Sequence, residues 1–277
     1  MKLVRKGKVK DIYELDDGNL LFHFSDRISA FDVKMATCIP RKGEALCRFA
    51  EFWFDRLETT HHMVKVIEND KMVVKKLEMM PIECVVRGYF YGSLVDRYDR
   101  YVGNEIPSDF KPLLAARLPK PIFDPTTKSD EHDIPISRQE VVSSRIIDER
   151  DYDYLEKTSL SLYKKMSEIV ERAGFIIADV KFEFGKDKNG EITLGDSLGP
   201  DEYRLWPKTS YKPGELQESY DKQLLRDWLV KVGFKEKVDI LAKEAKKPAS
   251  PELPKDLVDE LSSRYILTYE LFSGRKL

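Results

Sequence analysis

The N-terminal part of the chain consists mostly of predicted β-strands that occur in pairs, which limits the folds that the chain can adopt. Residues 9–15 and 20–24 are both strand-like, and the Asp-Asp-Gly-Asn turn at residues 16–19 predicts that they form a hairpin. Apolar residues at helical spacing over residues 44–57 predict one amphipathic helix. Further strands are predicted over residues 63–67, 72–77 and 82–91.

The second part of the chain mixes helices and strands behind a long aperiodic segment. Residues 103–136 are rich in Pro, Asp, Lys and Thr and predict a loop, which at this length is usually functional or disordered. Ser137, with Glu140 three residues later, predicts the capped start of a helix. The remaining predicted elements are helices over residues 152–173, 218–232 and 257–271, strands over residues 175–184 and 192–195, and a linker over residues 245–255. Together these elements indicate an α+β fold.

Composition excludes several classes of protein. The 47 basic and 49 acidic side chains leave a net charge of −2, which argues against binding to nucleic acid or to an anionic membrane. No apolar run approaches the roughly 18 residues of a membrane span, and residues 1–6 do not begin a signal peptide. Three cysteines without a CxxC pair and four scattered histidines favour neither a disulfide framework nor a zinc site. We therefore expect a cytoplasmic protein.

The most informative segment for chemistry is residues 179–185, Asp-Val-Lys-Phe-Glu-Phe-Gly. Alternation along a strand places Asp179, Lys181 and Glu183 on one face. A two-residue Asn-Gly turn pairs residue 188 with residue 191, and this register predicts that Glu183 lies opposite Asp196. Three carboxylates around one lysine suit a Mg²⁺ ion that carries a nucleotide phosphate. A solvated strand face gives the same pattern, so spacing alone leaves both interpretations open.

Lysines near the first and fourth strands are candidates for nucleotide binding. Lys8 and Lys10 follow Gly7, and a glycine in a turn lets backbone N–H groups approach a phosphate. An ordinary basic terminus has the same composition. Lys75 and Lys76 are adjacent strand residues, so one of them is expected to point inward, toward a phosphate or only toward a sheet edge.

Arginine and hydroxyl side chains supply candidates for anion binding. Arg87 offers a planar fork of donors, and Ser93 is predicted at the N-terminus of the next helix, where it is either an anion ligand or a plain N-cap. Residues 25–32 are dense in polar groups directly after a strand, as binding loops often are. Residues 124–128 and 132–133 lie in the long loop, where they suit a lid and a metal ligand or simply turns.

Taken together, six ordered segments resemble the SAICAR synthetases, the phosphoribosylaminoimidazole-succinocarboxamide synthases of purine synthesis. They extend over roughly residues 5–230, and the third and fifth are the most specific. The segments are GKVKDIYE from Gly7, SDRISAFD from Ser25, PIECVVRGYFYGS from Pro81, FDPTTK from Phe123, IADVKFEFG from Ile177 and SYDKQLLRDWL from Ser219.

The resemblance implies an activity and a fold. The reaction joins carboxyaminoimidazole ribotide (CAIR) to L-aspartate, converts ATP to ADP and phosphate, and uses Mg²⁺. The fold is two-lobed, related to ATP-grasp enzymes, with a nucleotide cleft between the lobes. The implied domains are a nucleotide lobe at residues 1–80, a catalytic lobe at residues 81–234 and a helical extension at residues 235–277 that packs on the body.

The resemblance also implies roles for individual residues. Asp179, Lys181 and Glu183 are the expected catalytic residues, and the substrates are ATP, CAIR and L-aspartate. The expected nucleotide contacts are Lys8, Lys10, Lys75, Met79, Glu183 and Asp196, with Met79 at an adenine hinge. The expected metal ligands are Asp133, Glu183 and Asp196. The expected substrate contacts are Ser29, Asp32, Arg87, Ser93, Asp179, Lys181 and Arg204, with Arg87, Ser93 and Arg204 at the ribotide phosphate.

The sequence departs from the family pattern at a few positions. Tyr91 stands where Thr or Ala is usual, and Ser197 follows Asp196 where an acidic residue is common. Residues 199–204 are looser than the usual Ser-rich version.

The chemistry fits the residue types, because a carboxylate accepts an amine only after phosphorylation gives it a leaving group. Such a site needs cations and positioning rather than a protein nucleophile. The segment 103–136 is then expected to act as a lid that keeps water from the acyl phosphate. Two alternatives remain: another ATP-dependent small-molecule phosphotransferase, and a nucleotide-binding protein without turnover.

Overall fold

A computed structural model describes residues 1–128, 134–244 and 246–277. Its strands are β1 (Lys2–Lys6), β2 (Lys10–Glu14), β3 (Leu20–Phe24), β4 (Ser29–Ala30), β5 (Val33–Lys34), β6 (Met63–Glu68), β7 (Lys71–Val74), β8 (Glu78–Met79), β9 (Ile82–Tyr89), β10 (Arg117–Phe123), β11 (Thr126–Thr127), β12 (Phe175–Phe182), β13 (Phe184–Lys186), β14 (Ile192–Leu194) and β15 (Tyr203–Pro207). Its α-helices are α1 (Lys42–Arg56), α2 (Arg138–Ser143), α3 (Glu149–Arg172), α4 (Gln223–Lys231), α5 (Phe234–Ala242) and α6 (Lys255–Ser273), and a 3₁₀ helix covers Gly92–Arg100. The predicted α+β class is confirmed.

The elements group into two units. The terminal unit contains Met1–Lys76, Ser197–Asp201 and Tyr220–Leu277. The central unit contains Leu77–Asp196 and Glu202–Ser219. Residues 220–277 thus group with the N-terminal sheet, while the three-domain division of the sequence stays a prediction.

The terminal unit is built on an antiparallel sheet with the strand order β1-β2-β3-β7-β6. The predicted hairpin is confirmed, with Glu14 opposite Leu20 at the end of the ladder. The predicted amphipathic helix is also confirmed as α1, whose Phe49 and Trp53 are fully buried. A second core joins the segment after β3 to the C-terminal helices. Its fully buried members include Ile28, Ile39, Leu225, Leu229 and Leu261.

The central unit is built on the sheet β10-β9-β12-β15, and here one prediction is wrong. Residues 103–136 are not one long loop, because β10 and β11 both lie within them and pair with β9. Pro119 and Pro121 obscure β10 in the sequence. The structure tolerates them because β10 is an edge strand whose pairing with β9 is irregular between Arg117 and Ile122.

The second hairpin has a different register from the predicted one. Phe184 lies opposite Leu194 and Lys186 lies opposite Ile192, so the loop is one residue longer than a two-residue turn. Gly190 closes this loop at a positive φ of 80°, a backbone conformation that favours glycine. Gly195 therefore donates its N–H to the carbonyl of Glu183, at 2.8 Å. The prediction that Glu183 lies opposite Asp196 is wrong.

Helix boundaries follow local chemistry. The capping box at Ser137 and Glu140 is confirmed at the start of α2. Helix α3 ends before Gly174, as predicted. Helix α4 begins later than predicted, because the Asp221 carboxylate accepts the N–H of Gln223. Elements β1, β4, β5, β8, β15 and α5 were also not predicted. None of the helices in the described ranges has both the length and the apolar character that a membrane crossing requires.

Candidate active site

Strands β9 and β12 are neighbours in the central sheet and carry most of the predicted catalytic residues. Asp179 lies opposite Arg87, and Lys181 lies opposite Val85. The alternation along residues 179–184 is borne out: Val180, Phe182 and Phe184 are at most 1% exposed on the apolar side. The polar side divides into two groups of charged residues.

The first group, here called the arginine cluster, consists of Arg87, Arg97, Arg204, Asp124 and Asp179 with the hydroxyl groups of Ser93 and Tyr101. Arg204 donates from Nη1 to Asp179 Oδ2 at 2.6 Å, and Arg87 Nη1 lies 3.5 Å from the same oxygen. Arg87 Nη2 donates to Ser93 Oγ at 3.0 Å. The structure therefore brings together Arg87, Ser93 and Arg204, the predicted ribotide contacts, with Asp179, another predicted substrate contact.

Asp124 is the buried centre of this cluster, and sequence reasoning assigned it no such role. Its side chain is 1% exposed and accepts hydrogen bonds from Arg87 Nε and the Tyr101 hydroxyl. Arg97 donates to both carboxylate oxygens, at 2.8 and 2.6 Å. Burial alone would raise the pKa of Asp124, but bonds from Arg97, the charge of Arg87 and the Tyr101 hydroxyl outweigh it and lower the pKa to about 2.

Tyr91 and Gly92, the two residues before Ser93, form a turn that suits their residue types. Ser93 is the second residue of the 3₁₀ helix, and Tyr91 is its N-cap, so the plain N-cap interpretation of Ser93 is wrong. Gly92 has a φ of 61°, and a Cβ there would lie 2.9 Å from the Arg204 guanidinium. That guanidinium lies 5.7 Å from the ring centroid of Tyr91, which gives this departure from the family pattern a cation–π contact.

The second group, here called the lysine cluster, consists of Lys128, Lys181, Glu83 and Glu183. Lys181 Nζ lies 2.6 Å from Glu83 Oε1 and 2.9 Å from Glu183 Oε1. Lys128 Nζ binds the other oxygen of Glu183. Burial opposes the charge of Lys181, but the carboxylates of Glu183, Glu83 and Asp196 prevail and raise its pKa well above the ordinary value.

Of the predicted metal ligands, Glu183 and Asp196 lie within the described residues and belong to no metal-binding group there. Asp133 lies outside the described residues. Asp196 has a φ of 55° and is off the ladder that would place it opposite Glu183, whose two oxygens are bound to lysines. Within residues 1–128, 134–244 and 246–277, no group of three or more His, Cys, Asp or Glu side chains is arranged to hold a metal. The described residues alone therefore do not fit a resident Mg²⁺ ion.

The terminal unit holds most of the predicted nucleotide contacts. Lys10 is buried, donates to Ser197 Oγ at 3.1 Å and lies 4.8 Å from the Phe22 ring centroid. Lys8 is half exposed and pairs with Asp32 at 2.5 Å. Ser29 is buried in β4.

Two further predicted nucleotide contacts have exposed side chains. The inward-pointing prediction is wrong for both Lys75 and Lys76, because β7 ends at Val74 and both lysines are exposed. Met79 lies in β8 of the central unit and is 38% exposed. The backbone N–H of Met80, next along the chain, donates to the carbonyl of Phe184 at 2.8 Å.

Comparison with known proteins identifies the family. The SAICAR synthetase family model matches residues 3–241. The chain belongs to the SAICAR synthetase family. A phosphoribosylaminoimidazole-succinocarboxamide synthase of Nitrosopumilus maritimus is 51% identical over 278 residues, covering the full length of both chains.

Solved structures of SAICAR synthetases have the same fold. The SAICAR synthase of Saccharomyces cerevisiae, complexed with SAICAR, is 36% identical with a TM-score of 0.83, covering 100% of this chain and 96% of the other. A type 2 SAICAR synthetase in complex with ADP is 28% identical with a TM-score of 0.75, covering 99% of both chains.

Proposed function

We propose that this protein is the ATP-dependent ligase that joins the carboxylate of CAIR to the amine of L-aspartate and releases SAICAR, ADP and phosphate. The arginine cluster carries the proposal, because it brings together the three residues that the family resemblance implies as ribotide contacts. Family membership and the relatives named for SAICAR and ADP support the choice of substrates.

The arginine cluster suits the 5′-phosphate of a ribotide. Three guanidinium groups face two carboxylates, which leaves a net charge of +1 beside the Ser93 hydroxyl. Arginine presents its donors in a fixed plane that matches phosphate oxygens. In this proposal Arg87, Ser93 and Arg204 hold the phosphate, while Asp179 orients the two arginines that it contacts.

The lysine cluster suits the reacting carboxylate. Lys181 stays protonated at neutral pH because its pKa is raised, so it acts as a donor and not as a base. Its charge stabilises the negative charge on the carboxylate as an oxygen of that group attacks the γ-phosphorus of ATP and ADP leaves. The aspartate amine then attacks the carbonyl carbon of the acyl phosphate, phosphate leaves with the C–O bonding pair, and the amine loses a proton.

Contacts in the terminal unit complete the proposal for ATP and L-aspartate. Lys8 and Lys10 hold ATP phosphates, and the backbone around Met79 in the central unit contacts adenine. Ser29 and Asp32 are substrate contacts in this proposal, with Asp32 paired to Lys8 in the structure. Mg²⁺ is expected to enter with the nucleotide and to use Glu183.

The proposed location is the cytoplasm, where thiols stay reduced. The three cysteines of the chain, Cys38, Cys47 and Cys84, are all free.

One assay separates the proposal from its alternatives. ADP release is measured with CAIR and ATP, with and without L-aspartate, and SAICAR is followed directly. The proposal expects sustained ADP release and SAICAR formation only when all three substrates are present. Sustained ADP release that does not depend on L-aspartate indicates a phosphotransferase, and nucleotide binding without turnover indicates a non-catalytic protein. Either result refutes the ligase.

A further inference from the structure

Two charged residues of the arginine cluster, Asp124 and Arg97, have no part in the proposed chemistry. Each is nonetheless held by several hydrogen bonds. Asp124 has 1% of its side chain exposed and Arg97 has 17%. A buried carboxylate beside a phosphate site is unexpected on charge alone, since it repels the ligand. Its function must therefore depend on its neighbours.

The hydrogen bonds of Asp124 are divided between its two oxygens. Oδ1 accepts from Tyr101 and from Arg97 Nη1, and Oδ2 accepts from Arg87 Nε and from Arg97 Nη2. This is a bidentate pair with Arg97 that also fixes the plane of Arg87. With its Nε engaged, Arg87 presents both Nη groups on the side of Ser93 and Asp179.

Ser93 receives hydrogen bonds from both arginines. Its Oγ accepts from Arg87 Nη2 at 3.0 Å and from Arg97 Nη2 at 3.2 Å. A hydroxyl has two acceptor lone pairs and one O–H donor. Because both lone pairs are used, the remaining O–H is left to donate, and an anion is the partner it suits.

We propose that Asp124 and Arg97 are positioning residues that set Arg87 and the Ser93 hydroxyl as donors to a phosphate monoester. This inference rests on the proposed ribotide site and extends it. The two residues act through Arg87 and Ser93 and do not take part in the transfer of the phosphoryl group. They make the site selective for a 5′-phosphorylated ligand over the same ligand without phosphate.

One substitution is expected to change the affinity for phosphate in opposite directions, depending on whether positioning or net charge determines binding. Asp124→Asn removes a negative charge and raises the net charge of the cluster from +1 to +2. Charge alone then predicts tighter binding of a phosphate. Positioning predicts weaker binding, because an amide cannot accept at both ends and the planes of Arg87 and Arg97 are released.

The test uses two ligands that differ only in the 5′-phosphate, 5-aminoimidazole-4-carboxamide ribotide and its riboside. Calorimetry measures Kd for both with the wild type and with Asp124→Asn. We expect Asp124→Asn to weaken binding of the ribotide about tenfold, which corresponds to the loss of one charge-assisted hydrogen bond. The affinity for the riboside should not change. Unchanged or tighter ribotide binding overturns the inference, and so does an equal loss for both ligands.

Arg97→Lys gives a matched pair with Arg100→Lys. Lysine keeps the charge but cannot make the bidentate bond, so Arg97→Lys should raise the KM for CAIR several-fold while the KM for ATP and kcat stay within about twofold. Arg100 lies in the same 3₁₀ helix, is exposed and pairs with Glu140, so Arg100→Lys should change none of these values. Equal behaviour of the two variants contradicts the proposal.

Separate controls distinguish a failure of the positioning proposal from misfolding and from a failure of the ligase proposal. If Asp124→Asn does not give a cooperative melt, Tyr101→Phe takes its place, because it removes one bond to Asp124 and changes no charge. It should weaken binding of the ribotide about threefold and leave the affinity for the riboside unchanged. The binding test needs no turnover, so an absence of SAICAR formation refutes the ligase while the ribotide and riboside still test the positioning. A wild type that binds the two ligands equally refutes the positioning.

Discussion

A buried ion pair in the terminal unit allows a prediction about stability with a definite size. Lys42, at the start of α1, is 0% exposed, and its Nζ lies 2.8 Å from Oδ2 of Asp201, which is 3% exposed. The hydroxyl of Tyr265 in α6 donates to the other oxygen of Asp201, Oδ1, at 2.9 Å, and Lys222 Nζ lies 3.8 Å from Oδ2. Burial alone would raise the pKa of Asp201, but the charges of Lys222 and Lys42 and the hydrogen bonds from Lys42 and Tyr265 lower it.

Lys42→Met removes the nearest positive charge and keeps most of the side-chain volume. Removing one partner of a buried pair costs about 3–5 kcal/mol, because the remaining carboxylate is left under-compensated. Tyr265 and Lys222 still contact Asp201, which places the expected loss near the low end, about 3 kcal/mol. In a chain of this size, that loss corresponds to a decrease in Tm of about 6–12 °C.

Urea and thermal unfolding measure this loss beside a control, Lys237→Met. Lys237 is an exposed lysine of α5 in the same unit, so its substitution should change the free energy of unfolding by no more than about 0.5 kcal/mol. Adding Asp201→Asn to Lys42→Met should cost less than the sum of the single substitutions, since the unpaired charge is then removed. The reasoning is refuted if Lys42→Met and Lys237→Met differ by less than about 1 kcal/mol.

Three further predictions concern the central unit. Arg87→Lys should raise the KM for CAIR more than the KM for ATP, because it keeps the charge and loses the planar fork; steady-state kinetics showing equal effects would contradict the ribotide assignment. Glu183→Gln should lower the Tm, since Glu183 separates two lysines; an unchanged or higher Tm would count against these ion pairs. Asp124, with its pKa lowered to about 2, should contribute about 2 kcal/mol above pH 4 that is lost as the pH falls from about 4 to 2. Urea unfolding across that range should show this acid loss in the wild type and not in Asp124→Asn, and identical profiles would refute it.

Local signals in the sequence predicted several elements correctly. The first hairpin, α1 and the capping box at Ser137 were all predicted from their own residues. The second hairpin failed by one residue because Asn-Gly also fits a longer loop, in which Gly190 takes the left-handed conformation. That single residue places Gly195, and not Asp196, opposite Glu183.

Residues far apart in the sequence account for most of what was missed at the site. Asp124 follows the proline-containing β10, where the strand pattern is hidden, so its proximity to Arg87 depends on an edge pairing that the sequence does not signal. Glu83 had a detectable signal, since it lies four residues before Arg87 on the same face of β9. It could have been added to the candidates by the same alternation that selected Asp179 and Lys181.

The observed contacts change the electrostatic account of the site. The predicted opposition of Glu183 and Asp196 implied a repulsive pair that only a cation would hold. Instead, the sheet places Arg87 opposite Asp179 and surrounds Lys181 with two glutamates. Opposite charges across neighbouring strands stabilise a sheet, so this face contributes to folding before any ligand binds.

The two clusters therefore differ in how they can accept a ligand. The arginine cluster has a surplus of one positive charge and a hydroxyl group left to donate, so an anion adds to contacts that already exist. In the lysine cluster both lysines are already paired with glutamates, so a substrate carboxylate or a metal must exchange with an existing ion pair. A ligand that replaces an existing ion pair gains only the difference in free energy between the new contact and the lost pair. A ligand that binds to surplus charge loses no ion pair. In the proposed reaction, most of the ribotide affinity should therefore come from its phosphate, and the lysine cluster should contribute chiefly when new charge develops on the reacting carboxylate.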